Sequence, residues 1–160
     1  MQNNNNIPES IWADGCPDVV KDEDKITQRE LLGMAVDYVV KKVIIPRGFK
    51  IEQGFPREEY PNIICKKDGE VYAIVVAPSI FPNFMAMTDE FRLKFVEQAK
   101  QNKCNPLFAA VGYKSIDEER AKAGLVLKGD VFITSFPGFH RLTDAKTQSF
   151  TVPVEELYRP

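Results

Sequence analysis

The sequence predicts an α/β fold, in which one domain has a mixed central sheet flanked by helices. Two observations support this prediction: apolar residues recur at helical spacing in residues 27–43, and a β-favouring run fills residues 71–77. That run is apolar at every position, which is typical of a central strand covered on both faces. The length of 160 residues and the 44% hydrophobic content suit one compact domain.

The first helix is predicted to begin at a capping box. Thr27 and Glu30 have the spacing at which each side chain satisfies a free backbone amide at a helix start. An apolar stripe follows, made of Leu31, Leu32, Ala35, Val36, Val39, Val40 and Val43. Pro46 and Gly48 are expected to end the helix, and a short strand is expected within residues 49–55.

Residues 61–78, PNIICKKDGEVYAIVVAP, have the pattern of a β-hairpin. Residues 63–65 form a first apolar strand, and the pair Asp68-Gly69 tolerates the positive φ of a tight turn. Side chains along a strand alternate between its two faces. One face of the second strand therefore carries Ala73, Val75 and Ala77, and the other carries Tyr72, Ile74 and Val76.

A second helix is predicted after the hairpin, beyond an apolar loop at residues 79–87 that we expect to pack in the core. Thr88 is its cap, and acids in the first turn favour the positive end of the helix dipole. The predicted inner face consists of Phe91, Phe95, Val96 and Ala99. The basic residues Arg92, Lys94, Lys100 and Lys103 alternate with acids, so a solvated face is expected for them.

The remaining elements complete the predicted sheet. Residues 107–113 form a buried strand, and a crossover through the second helix would make it parallel to its neighbour. Ser115 and Glu118 have the spacing of another capping box, and Gly124 suits the end of that short helix. Further strands are predicted at residues 130–134 and 150–154.

The hairpin resembles the core of the PD-(D/E)xK nuclease superfamily. Members carry Pro-Asp at the entry to one strand, then an acid and a lysine two residues apart on the next strand. In this chain the proline is Pro61, and the metal-binding acid position holds Asn62. The second acid position holds Val75 and the lysine position holds Ala77. The resemblance implies a restriction-endonuclease-like α-β-β-β-α-β core with a mixed central sheet flanked by helices over residues 27–142.

The catalytic chemistry of that superfamily needs groups that this motif lacks. Its carboxylates hold a divalent cation, usually Mg²⁺, which activates water. Val75 and Ala77 offer no ligand and no charge, so we expect no catalysis, metal or cofactor here. Members often place an acid on the first helix, where Glu30 is the candidate, but its capping role already explains it. The resemblance therefore implies a non-catalytic binding or assembly module with a protein or nucleic-acid partner.

Three alternatives stay open. The first is an active, Mg²⁺-dependent nuclease whose catalytic groups have moved to the second helix, where the candidates are Lys94, Glu97 and Gln98. The second is an ordinary hairpin of another α/β domain. The third is an unrelated small-molecule enzyme, which would need a pocket with convergent polar groups.

Charge limits the classes of partner. A net charge of -2 and a pI near 5.5 argue against a dedicated, sequence-independent nucleic-acid binder. A local basic patch would need the convergence of Lys41, Lys42, Arg47, Lys50, Lys66 and Lys67. Scattered lysines at helix ends and turns more commonly serve solubility.

Residues 1–25 are expected to form an extended or partly disordered arm before a single domain at residues 26–160. Within the arm, Pro17-Asp18 and the segment 23–25 match the letters of the nuclease motif, but no apolar strand would align them. No signal peptide or membrane span is evident, so a cytoplasmic location is expected.

The cysteines and the histidine suggest no site. Cys16, Cys65 and Cys104 lack a zinc or disulfide spacing, so reduced thiols are expected, with Cys65 as a buried apolar residue. His140 has no nucleophile near it in sequence, and a surface or loop position is expected for it.

Overall fold

The computed structural model describes residues 22–53, 60–83, 87–146 and 148. These residues form a six-stranded mixed sheet with helices, so the predicted α/β class is confirmed. The strands are β1 (Lys50–Gln53), β2 (Ile63–Lys67), β3 (Glu70–Ile80), β4 (Asn105–Ser115), β5 (Phe132–Ser135) and β6 (Phe139–Arg141). The helices are α1 (Gln28–Tyr38), α2 (Asp89–Gln101) and α3 (Glu118–Ala123).

The strands lie side by side in the order β1-β2-β3-β4-β5. Strands β3 and β4 are parallel and joined by the predicted crossover through α2, whereas the other pairs are antiparallel. Strands β5 and β6 share one edge of β4: β5 pairs with its end at residues 112–115, and β6 pairs with residues 107–109. The pattern of the sequence did not predict β6, which is only three residues long.

The capping box at the start of α1 is confirmed. The Thr27 N–H donates to Glu30 Oε1 at 3.1 Å, and the Glu30 N–H donates to Thr27 Oγ1 at 3.1 Å. After α1 the chain continues as a π-helix at Val39–Ile44 and a 3-10 turn at Ile45–Arg47. Gly48 ends this run with a φ of 83°, as the sequence predicted.

The predicted hairpin forms, with positive φ at both Asp68 and Gly69 in its turn. Strand β3 is longer than predicted, because it runs through Pro78 to Ile80. The Val76 N–H points towards β2, where it meets Asn62, and amides two residues apart on a strand point to the same edge. Strand β2 pairs with β3 no further than Ile74, so no residue of β2 lies opposite Pro78. Proline has no backbone N–H to donate, and at this position no sheet hydrogen bond is lost.

The two faces of β3 pack against different helices, as the alternation predicted. On one face, Ile74 and Val76 pack with Leu31, Val36 and other residues of α1. On the other face, Ala73, Val75 and Ala77 pack with Phe95 and Val96 of α2. The sheet is therefore covered on both sides, which explains why the run at 71–77 has no polar residue.

A buried ion pair holds α3 against the sheet. Arg120 contacts Asp130 through two bonds, Nη2 to Oδ1 at 2.9 Å and Nε to Oδ2 at 3.0 Å, and Ser115 Oγ donates to Asp130 Oδ2 at 3.0 Å. The predicted capping box at Ser115 is wrong, because Ser115 is the last residue of β4. The cap of α3 is Asp117, whose carboxylate accepts from the Arg120 N–H at 3.0 Å. The predicted end at Gly124 is confirmed.

Residues 142–146, here called the strap, pass from β6 along α2. The Arg92 guanidinium, only 2% exposed, donates to the carbonyl oxygens of Thr143 and Ala145, the latter at 2.7 Å. Lys100 Nζ lies 2.7 Å from Asp144 Oδ2. The prediction of a solvated basic face is therefore wrong for Arg92. His140 is also buried, in β6 opposite Phe108, so a surface position was wrong for it too.

The end of the predicted N-terminal arm contacts the domain. Asp22–Asp24 form a 3-10 turn, Lys25 bridges to Leu127, and the Lys128 N–H donates to the Asp24 carbonyl at 2.8 Å. The rest of the arm, with Cys16 and Pro17-Asp18, and the strand predicted at 150–154 lie outside the described residues.

Candidate functional site

Asn62, which the resemblance matches to the metal-binding acid, is fully buried at the start of β2. Its N–H donates to the Ile74 carbonyl at 2.9 Å, and its side-chain Oδ1 accepts from the Val76 N–H at 2.7 Å. The Asn62 side chain thus accepts the Val76 N–H in place of a backbone carbonyl, which β2 would supply if it were longer. Its oxygen is directed at a backbone amide of β3, so it is poorly placed to coordinate a cation.

Val75 and Ala77 form the floor of an apolar pocket. The pocket lies between β3, β4 and the first turn of α2, with a volume of about 300 Å³. Its described lining consists of Tyr60, Val75, Val76, Ala77, Met87, Thr88, Phe91 and Phe108. The two positions that the resemblance matches to an acid and a lysine therefore face an aliphatic and aromatic space.

Aromatic rings form the wall of this pocket. Tyr60 and Phe91 meet edge to face, with ring centroids 4.8 Å apart and planes at 77°. Phe91 in turn lies parallel to Phe95, with a centroid distance of 6.1 Å. None of the lining side chains in the described part of the chain carries a charge at neutral pH. Within the same residues, no group of three or more His, Cys, Asp or Glu side chains could hold a metal.

Glu30, the acid predicted on the first helix, is not brought to the pocket. Helix α1 packs on the opposite face of the sheet from Val75 and Ala77. The hydrogen bond from the Thr27 backbone, with Lys128 nearby, lowers the pKa of the exposed Glu30 carboxyl. Its contacts are those of a helix cap.

Lys94 and Glu97, the candidates for relocated catalysis, lie on the outer side of α2. Lys94 is 76% exposed and forms an ion pair with Glu90 at 3.4 Å. Glu97 lines a separate cleft beside Lys100 and Asp144, and the neighbouring Gln98 is exposed. These residues point away from the sheet because Phe95 and Val96 fill the inner face of the helix. The structure therefore does not group them with Val75 and Ala77.

Three of the basic residues considered for nucleic-acid binding lie on β1 and β2, where they are divided between two faces of the sheet. Lys50 and Lys66 are direct partners across β1 and β2, and Lys66 forms an ion pair with Glu52 at 3.2 Å. Lys67 is the next residue along β2 and so points to the other face, where its ammonium lies 5.1 Å from the centre of the Phe49 ring. No single basic surface results from these three lysines.

The cysteines in the described residues offer no activated nucleophile. Cys65 is fully buried, as predicted, and burial raises the pKa of its thiol to about 12. Burial also raises the pKa of the Cys104 thiol. Both groups are protonated thiols at neutral pH, whereas the thiolate is the reactive form.

The pocket itself was not predicted from the sequence. Its lining comes from segments far apart in the chain, represented by Tyr60, Ala77, Phe91 and Phe108. One signal was present: Ala73 and Ala77 are smaller than Tyr72, Ile74 and Val76 on the other face of β3. Small side chains beneath a helix leave space that larger ones would fill.

The fold and this pocket define an α/β domain whose clearest candidate site is apolar. Residues 29–142 match a family described as a domain of unknown function, DUF8840, and the chain belongs to that family. No curated protein and no solved structure matches the chain. Among the described helices, none has the length and hydropathy needed to span a membrane.

Proposed function

We propose that this chain is a non-catalytic domain of the restriction-endonuclease-like fold and acts as a binding or assembly module. One observation carries the proposal. The Asn62 side-chain oxygen accepts a hydrogen bond from the Val76 N–H, and Val75 and Ala77 line an apolar pocket. Magnesium requires oxygen ligands and gives up its water reluctantly, and among the described residues Val75 and Ala77 offer it none.

The order and direction of the elements support the proposed kinship. Helix α1 precedes three antiparallel strands, and α2 then leads to β4, which lies parallel to β3. We propose on this basis that residues 27–142 form a core of the restriction-endonuclease-like kind. The side chains in the motif positions differ, but the strands that carry them are adjacent.

The charges favour a protein partner over a nucleic acid. The net charge is -2, and Lys50 and Lys66 face away from Lys67. A phosphate backbone is bound through convergent lysines and arginines, which make affinity depend on salt. We propose no cofactor for the domain.

The alternative function, a metal-dependent nuclease with relocated residues, would have to act away from the pocket. Lys94 pairs with Glu90 on the outer side of α2, and Glu97 lies in the cleft beside Asp144. Cleavage of DNA or RNA in Mg²⁺, lost on Glu97→Ala or Lys94→Ala, would establish this alternative.

Restoring the motif tests the proposed kinship. The triple variant Asn62→Asp, Val75→Glu and Ala77→Lys places the superfamily's groups at the matched positions. A control variant, Asn62→Asp, Ala73→Glu and Val75→Lys, carries the same groups one step earlier on the same face of β3. Mn²⁺ binding is measured by electron paramagnetic resonance, and circular dichroism verifies folding.

We expect Mn²⁺ to bind the first variant and neither the control nor the natural chain. If both variants fold and bind Mn²⁺ equally well, positions 75 and 77 are not special, and the match of the motif to these positions is refuted. Metal-dependent cleavage by the natural chain would contradict the non-catalytic function directly.

A further inference from the structure

The chemistry of the pocket selects an uncharged group. Its floor is Val75, Ala77 and Phe108, and the charged residues of α2 are absent from the described lining. The Thr88 hydroxyl oxygen accepts the Phe91 N–H at 3.1 Å as the helix cap. A charged ligand group would lose its hydration without gaining an ionic partner, so it would bind poorly.

The size of the pocket and the rings that line it suit an aromatic side chain. Its volume of about 300 Å³ lies at the lower end of the roughly 300–1,000 Å³ of ligand pockets, which leaves room for one bulky side chain. Tyr60 and Phe91 already meet edge to face, and an inserted ring could continue the same geometry. The space exists because the floor residues Val75 and Ala77 are small.

An exposed strip of the sheet continues from the pocket beyond α2. It is defined by Ser79 of β3, Phe81 directly after the end of β3, and Lys114 and Ile133 on the same face of β4 and β5. Phe81 is 42% exposed and Ile133 is 55% exposed. The Lys114 ammonium lies 4.6 Å from the centre of the Phe81 ring. Exposed apolar side chains of this kind mark interaction surfaces, and here they extend the candidate contact area beyond a pocket that has room for one side chain.

Charges near the mouth of the pocket disfavour a nucleic acid. The first turn of α2 carries Asp89 and Glu90, beside the lining residues Thr88 and Phe91. Asp89 forms an ion pair with Arg92 at 3.2 Å, and the Arg92 guanidinium is buried under the strap. No cation of this turn is therefore presented to a phosphate entering the pocket.

We propose that the pocket receives an aromatic side chain of a partner polypeptide, with Phe81 and Ile133 contacting the residues beside it. The inference rests on the proposed binding function and adds the chemistry of the partner. Aromatic side chains that enter a desolvated pocket are common anchors of protein interfaces.

Capped amino acids test this proposal on the full chain. N-acetyl-tryptophanamide and N-acetyl-phenylalaninamide serve as probes, with capped glutamate amide and adenosine as comparison compounds. Binding is followed through the backbone amide signals in nuclear magnetic resonance spectra. We expect the aromatic amides to shift the signals of Val75, Ala77 and Phe91, with no comparable shift from capped glutamate or adenosine.

Filling the pocket provides the matched comparison. Ala77→Leu should weaken binding of the aromatic amides by about tenfold or more, and Ala77→Val, which adds less volume, should weaken it by a smaller factor. Leu93→Ala, an exposed change on the same helix, should leave the affinity unchanged. Thermal unfolding identifies any variant that does not fold.

Three results would overturn the proposal: no response to either aromatic amide, affinity that survives Ala77→Leu in a folded protein, or stronger binding of adenosine. The first two exclude an aromatic side chain as occupant, and the third assigns the pocket to a nucleobase. None of these results affects the Mn²⁺ measurements, so failure of this inference is distinguishable from failure of the non-catalytic function.

Discussion

Asn62 shows how one buried side chain can take the place of a strand partner. Its fully buried side chain accepts a backbone hydrogen bond just before β2 begins, where β3 continues beyond its pairing with β2. An aspartate at this position would place a carboxylate against the Val76 amide. The amide of asparagine makes the same bond without bringing a charge into the core.

Replacing Asn62 with alanine should destabilise the fold by about 1–3 kcal/mol, because the buried Val76 N–H would lose its acceptor. Urea denaturation measures the change in the free energy of unfolding. Asn83→Ala, at an exposed position after β3, is the matched control and should change stability little. Equal stability of the two variants would show that the bond to Val76 is dispensable.

The buried Tyr113 side chain should make the stability of the fold depend on pH in the alkaline range. Its buried hydroxyl has no hydrogen-bond partner within the described residues, and burial, with Tyr38 and Asp37 nearby, raises its pKa from 10.0 to about 12. The unfolded chain therefore loses this proton at lower pH than the native chain does. The contribution of Tyr113 to the free energy of unfolding is therefore complete below pH 10 and is lost as the pH rises towards 12.

Tyr113→Phe should therefore flatten the fall in stability between pH 10 and 12. Below that range, it should leave stability unchanged or raise it by up to about 1 kcal/mol, since it removes an unsatisfied buried hydroxyl. Urea denaturation at a series of pH values measures both effects. An unchanged slope would mean that Tyr113 does not contribute to the alkaline transition.

At the scale of elements, the strap depends on α2. Arg92 is buried, and its guanidinium holds the carbonyl groups of Thr143 and Ala145. The strap begins with Leu142, which packs in the same core as Val75 and Phe108. Contacts from one helix therefore order the segment that follows β6.

Arg92→Ala should release the strap while leaving α2 folded. Hydrogen bonds to charged groups contribute about 1.5–3 kcal/mol, and a loss of that order is expected here. Hydrogen exchange should become faster at residues 142–146, with α2 largely unaffected. Lys94→Ala removes an exposed ion pair of the same helix and should have little effect. Unchanged exchange in the strap would contradict this role of Arg92.

The elements that the sequence predicted correctly are those whose causes are local. Thr27 and Glu30 are three residues apart, and Asp68 and Gly69 are adjacent, so their structures follow from neighbours in the chain. Arg92 was misread because its acceptors lie 51 and 53 residues further on. Ser115 was misread for the same reason, since its partner Asp130 follows 15 residues later.

At the scale of the whole molecule, the sheet determines what the candidate site can be. Strand alternation correctly placed Val75 and Ala77 on one face, and their lack of charge could be read directly from the sequence. The pocket above them could not be predicted, because Tyr60, Phe91 and Phe108 meet only once α2 has crossed from β3 to β4. The pocket, which is the part of the site that would bind a partner, therefore depends on contacts between residues far apart in the chain.

We propose above all that no divalent cation binds at the positions matched to the nuclease motif. Titration of the natural chain with Mn²⁺, followed by electron paramagnetic resonance, tests it most directly. We expect the signal of free Mn²⁺ to grow in proportion to the amount added, as it does without protein. A stoichiometric site that Asn62→Ala or Glu97→Ala abolishes in a folded protein would contradict it.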